Sequence, residues 1–162
     1  MQFKTFILSE IQREMPTTRK MLELVPEDKY DWKPHPKSRS IGDLASHIAQ
    51  LAGFAVTMAQ DETFDFSRWS DMHFKTNAEL LLGFDSLLTE TVNALISLSE
   101  EDFDKTWAMV SGETVVNSFQ KWNAIHSVFL QHIIHHRAQL GVYLRLLDIP
   151  LPPMFGPTAD SQ

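Results

Sequence analysis

Cysteine is absent from all 162 residues. That absence excludes a thiolate nucleophile, a disulfide framework and any zinc site built on Cys, which leaves histidine and carboxylate as the available metal ligands. Clustered positive charge is also missing. Lys and Arg number 14 against 21 Asp and Glu, the formal net charge is −7, and no Lys/Arg run occurs. Binding to a phosphate backbone needs such a patch, so nucleic acid is not an expected partner. There is no run of 18 apolar residues, and the stretch from Met1 to Glu10 turns polar and amphipathic too early for a signal peptide. The expectation is a cytoplasmic protein with no membrane partner, of a length that suits one domain with a continuous core. Internal repeats and low-complexity segments are lacking.

What is present is helical periodicity. Phe3, Ile7, Ile11, Met15, Met21, Leu22 and Val25 recur at helical spacing, although Pro16 removes one backbone donor, so the pattern predicts a kinked helix or two short ones. Residues 26–39 carry three prolines and read as a loop. Ser40 is placed to cap a second helix, with Asp43 in the capping-box position and a stripe of Leu44, Ile48, Leu51, Ala55 and Met58 that includes His47. Residues 61–75 show no sustained period and read as a connection folded over the end of a bundle. Thr76 and Glu79 repeat the capping signature ahead of a third helix bearing Leu80, Leu81, Phe84, Leu87, Leu88, Val92, Leu95 and Ile96. Two short β-prone runs around Ser111-Gly112 predict a small hairpin before the last helix. From about Ser118 to Leu147 that helix aligns Trp122, Ile125, Phe129, His132, His136, Leu140, Tyr143 and Leu147, and Pro150, Pro152 and Pro153 then end it. Four helices with one core stripe each specify an all-α, up-down four-helix bundle.

Within that frame the most informative segment is His132-Ile133-Ile134-His135-His136-Arg137-Ala138-Gln139-Leu140. Histidines four residues apart project about 40° from one another, one turn along, so His132 and His136 can grip one ion while His135 points to the other side. His47, on the apolar face of the second helix, supplies a third imidazole. Burying a bare imidazole costs roughly 1 to 3 kcal/mol, and a shared ion satisfies several at once. A core hydrogen bond would satisfy a lone histidine equally well, but three on two inward faces favour a metal with open coordination positions. His126 lies about 120° from His132 and is left out of the site. His35 and His73 fall in polar segments, although His73 could drape over the site. Arg137 faces away from the stripe and reads as a salt-bridge or interface residue. The four tryptophans read as core or loop anchors. No carboxylate joins the histidines at helix spacing, which argues against a di-iron Glu-x-x-His bundle.

The chain resembles the DinB-like family, also called the YfiT-like metal-dependent hydrolase superfamily of bacterial four-helix bundles. The resemblance rests on Val25-Pro26-Glu27-Asp28, on Asp31 to Ser38, on His47, on His132 to Leu140, and on the tail Ile149 to Pro157. Where the family commonly has Gly after the Arg of His-x-x-His-His-Arg-x-Gln, this chain has Ala138. The resemblance implies one DinB-like domain over residues 1–162 and a divalent metal (nickel, zinc or iron) held by His47, His132 and His136. It implies a homodimer, and in some relatives thiol-dependent S-transfer or isomerisation.

Two classes of function stay open at this point. One is an enzyme, transferase-like or hydrolase-like, whose metal activates a low-molecular-weight thiol or water toward a small-molecule substrate. A general base would then come from a loop, with Asp61, Glu62, Asp65 and His73 as candidates. The other is a non-catalytic, stress-related bundle that binds metal or a small ligand, or binds metal only adventitiously. The 61–75 connection and the 26–39 loop are expected to control access to the site.

Overall fold

The computed structural model describes residues 2–161. The first helix, α1 (Phe3–Glu23), runs unbroken through Pro16, where two short helices were one expectation. Both sides of the proline are pinned. The Glu14 carbonyl accepts from the Thr18 hydroxyl at 3.0 Å and from Arg137 at 2.9 Å, and Ile11, Met15 and Met21 are buried on the same face. At the N-terminus the Glu100 carboxylate, 97 residues away, takes the free Phe3 N–H at 3.2 Å.

Ser40 caps α2 (Ile41–Leu51), accepting the Asp43 N–H at 3.1 Å. The expected second helix does not reach Met58 in one piece. It stops at Leu51 and restarts as α3 (Phe54–Gln60). The cause is α4 (Asn77–Ser97), which presses into the break. Thr91 donates to the Ala52 carbonyl at 2.6 Å, and a Cβ on Gly53 would lie 2.8 Å from a Leu87 methyl. α4 opens on the expected cap, with the Glu79 N–H donating to the Thr76 hydroxyl. Leu80, Phe84 and Leu95 of its predicted stripe are buried, whereas Ile96 is exposed. By length and composition α4 is the one described helix apolar enough to cross a membrane, and it packs along α1, α2 and α3.

The all-α expectation needs correction. The predicted hairpin exists as β2 (Thr106–Ser111) and β3 (Thr114–Gln120), antiparallel, turning at Gly112 with φ 59°. Glycine at the first position of a two-residue turn is what a tight hairpin of matching twist requires. The connection expected to be irregular adds β1 (Thr63–Asp65), parallel to β2, giving a three-stranded sheet in the order β1-β2-β3. Asp65 fastens the two together by accepting the Gly112 N–H at 3.2 Å. Trp107 from β2 is fully buried beside Phe54 and Phe64, so the sheet closes one end of the helical core.

The last helical limb begins later than expected and is not uniform. A single turn, α5 (Lys121–Asn123), leads into a π-helical segment, Ala124–Leu130, and then α6 (Gln131–Leu146). The π segment bonds each residue to the fifth along and turns the chain less per residue. The uniform 100° projection that placed Trp122 on the core stripe therefore fails: its indole is exposed and donates to Gln120 at 2.8 Å. Along α6 the buried side chains are Ile133, Arg137, Leu140 and Leu144, with His132 and His136 at the border of that face. α6 packs against α1 and α2, and α4 packs against α1 and α2 from the other side.

Candidate metal centre

Because α2 lies along α6, His47 from the former meets His132 and His136 from the latter. The His47 ring centroid is 5.5 Å from that of His132 and 4.8 Å from that of His136, edge-on to both. One ring nitrogen from each of the three lies within 4.8 Å of the others. His132 Nε2 and His136 Nε2 are 2.9 Å apart.

His136 Nδ1 lies 2.7 Å from the Gln139 side-chain oxygen, a contact that orients the ring and turns its Nε2 toward His132. The two Nε2 atoms face each other at a spacing that a shared cation would bridge. A proton is disfavoured in that role. Burial first, then the neighbouring cationic and imidazole groups, push His47 down to about 4 and lower His132 and His136. All three are therefore neutral near pH 7, with lone pairs free for a metal. His47 Nδ1 is buried and has no hydrogen-bond partner among the described residues, an arrangement that normally costs about 1 to 3 kcal/mol. The donor set fits a divalent ion that favours imidazole: adjacent nitrogens at ~2.1 Å from one ion lie roughly 3.0 to 3.4 Å apart, close to the 2.9 Å pair, and the widest separation, within 4.8 Å, must close around the ion.

The histidines form one wall of a cleft of about 450 Å³. The opposite wall is Phe54, Phe64 and Trp69, each ring edge-to-face with the other two at 4.9 to 5.6 Å. At the mouth the Asp71 carboxylate accepts the Trp69 indole N–H at 3.0 Å through one oxygen and Arg39 Nη1 at 3.1 Å through the other. Those two bonds hold Asp71 below the usual carboxylate range, the indole contributing most.

The three histidines singled out from the sequence lie together in the structure, whereas sequence alone assigns no site role to Arg39 or Asp71 and reads Trp69 only as an anchor. The available signal was position: all three fall in the two connections expected over the bundle end. Three of the loop bases considered from sequence lie outside the lining of this cleft. Asp65 holds the hairpin, His73 Nδ1 pairs with Asp43 at 3.2 Å, and Glu62 lines a separate cleft beside Lys121. His126 packs against Phe6, His135 sits beside His136 without joining the cluster, and no carboxylate joins it among the described residues. Arg137 makes a buried ion pair with Glu14 at 2.6 Å.

A family model described as the DinB superfamily matches residues 10–140, a span that contains all three histidines. The chain belongs to the DinB superfamily. It is 26% identical over 141 residues to the uncharacterized protein YjoA of Bacillus subtilis strain 168, covering 86% of this chain and 87% of that one. The crystal structure of the DinB-like YjoA superposes with a TM-score of 0.71 at 21% identity, over 94% of this chain and 99% of the other. A DinB-like protein from Bacillus cereus ATCC 10987 superposes with a TM-score of 0.74 at 18% identity, over 92% and 95% of the two chains. These likenesses establish a shared DinB-like fold and leave the activity to be argued from the site.

Proposed function

We propose that this DinB-superfamily protein is a metal-dependent enzyme in which His47, His132 and His136 hold one divalent ion and the adjoining cleft admits a small-molecule substrate. The observation that carries this reading is the convergence of the three imidazoles, with His132 Nε2 and His136 Nε2 2.9 Å apart beside a buried His47 whose Nδ1 has no hydrogen-bond partner among the described residues. Nickel, zinc and iron all accept a neutral imidazole set. When bound, such an ion lowers the pKa of a coordinated thiol or water and so supplies a nucleophile near neutral pH. The chain's own residues do the rest. Gln139 orients the His136 ring through its Nδ1. Phe54, Phe64 and Trp69 exclude water from one side of the cleft, and Arg39 places a positive charge at its mouth. Since the chain has no cysteine, a sulfur nucleophile must arrive as a low-molecular-weight thiol.

The test begins with protein purified without a histidine tag. Elemental analysis should find one divalent ion per chain, and adding zinc or nickel to stripped protein should produce metal-dependent consumption of a small thiol in the presence of a model electrophile. Stoichiometric metal without any thiol or hydrolytic turnover would replace the enzyme with a metal-binding module. Absence of stoichiometric metal would remove the reading altogether.

We also infer that the chain pairs with a second copy. Support comes from an apolar groove of about 580 Å³ between α1 and α4, lined by Leu8, Ile11, Met15, Leu88, Val92 and the exposed Ile96. Closed two-fold pairs are the commonest oligomers, and an apolar face of this kind suits one. Light scattering of untagged protein at micromolar concentration should give twice the chain mass, and Val92→Glu should halve it. A monomeric wild type would dismiss the pairing.

A further inference from the structure

We propose that the cleft beside the histidines takes a small organic anion with a flat apolar or aromatic body, the body lying on Phe54, Phe64 and Trp69 and the anionic group meeting Arg39. This names a substrate class and rests on the reading of the cleft as a substrate site.

The argument starts from how few groups shape this wall. Three aromatic rings stand mutually edge-to-face, leaving an apolar surface toward the histidines, and Met109 from β2 extends it. Aromatic faces of this kind favour another ring, by offset stacking or edge contact. Asp71 ties the Trp69 indole and the Arg39 guanidinium to a single carboxylate, so the apolar surface and the positive charge keep a fixed relation.

Arg39 is only partly used by that bond. Asp71 takes the Nη1 edge, and no described residue accepts from Nε or Nη2. A guanidinium fork with unused donors beside a cleft is suited to a planar carboxylate or sulfonate. Charge points the same way. The chain as a whole is acidic at −7, yet Arg39 lines the cleft together with the three histidines, and Asp71 is the one carboxylate among the residues that line it. A bound divalent ion would add positive charge to a cleft already without a negative excess. Anionic ligands are thus drawn to this one place on an otherwise anionic surface.

The experiment uses naphthoate as the probe, with naphthylmethanol as its neutral analogue and acetate as its anion without a ring. Titration calorimetry on metal-free protein comes first, so that direct contact between carboxylate and metal contributes nothing. Naphthoate should bind roughly tenfold more tightly than either control. Arg39→Gln should abolish the preference for naphthoate over naphthylmethanol, and Arg39→Lys should restore part of it. Trp69→Leu should weaken both naphthyl compounds by about fivefold alike. Zinc titration of the same variants separates the two readings. If zinc binds and naphthoate does not, or if Arg39→Gln leaves its affinity unchanged, the anion site is wrong and the metal centre stands. If naphthoate binds through Arg39 and zinc does not bind, the metal centre is wrong and the anion site stands.

Discussion

His136→Ala is expected to lower the affinity for zinc or nickel by at least about a hundredfold while the helices remain folded, because losing a supporting outer hydrogen bond alone typically costs 10- to 100-fold and this change removes a ligand itself. Two stability effects follow, and together they distinguish a functional metal site from a structural one. In metal-free protein the half-buried His136 ring sits at the border of the core, so the variant should melt close to wild type. With excess zinc the wild type gains stability as RT ln(1 + [L]/Kd), about 2.7 kcal/mol when the free metal is roughly a hundred times Kd, and the variant gains none. Circular dichroism melts with and without metal read both effects. Collapse of helicity in the metal-free variant would show that the ring belongs to the core. An unchanged zinc-induced shift would show that the ion is held elsewhere. His135→Ala is the internal control, since His135 lies next to the cluster in sequence and outside it in space, and it should keep the full zinc response.

The contrast between His135 and His136 shows how much of the site was legible in the chain. Helical spacing separates them, because local geometry fixes relative direction within one turn, and it also relates His132 to His136. The approach of His47 was a weaker inference, resting on two apolar faces having to meet. What spacing could not supply was the phase of the last helical limb over more than two turns. The π-helical segment has no residue code that separates it from an α-helix, and its slower rotation moved Trp122 to the surface while leaving Phe129 and Ile125 inside. Likewise Thr63-Phe64-Asp65 is too short to show alternation, and it becomes a strand only because β2 offers a free edge and Asp65 binds the hairpin turn. Arg39, Asp71 and Trp69 were invisible for a related reason: their importance lies in one carboxylate bonding two partners from distant segments. The broken second helix belongs to the same class, since only Thr91 and Leu87 of α4 explain the interruption at Ala52 and Gly53.

Arg137→Ala should destabilise the fold by about 3 kcal/mol, even though the residue adjoins the histidine cluster and touches none of its ligand atoms. Its guanidinium is 2% exposed, donates to the Glu14 carboxylate at 2.6 Å, and spans to the Glu14 carbonyl and the Thr18 hydroxyl. Truncation leaves Glu14 buried without its main counter-charge, a change that ordinarily costs about 3 to 5 kcal/mol. The lower end is expected because Arg13 remains 3.1 Å from the other Glu14 oxygen. For a domain of this size the loss corresponds to a melting-point drop of roughly 6 to 12 °C. The penalty comes from the orphaned carboxylate, not from the ion pair as such, so the double variant Glu14→Leu with Arg137→Met should recover to within about 1 kcal/mol of wild type. Denaturant titration of both variants tests this, and a double variant as unstable as the single would assign the loss to packing instead. Arg137 also fixes α6 against α1 at the turn that carries His136, so it acts on the site as a positioning residue. In Arg137→Ala the zinc affinity should fall by a smaller factor than in His136→Ala, and in the double variant it should return with the stability, because the requirement at that point is a fixed helix register and not a positive charge.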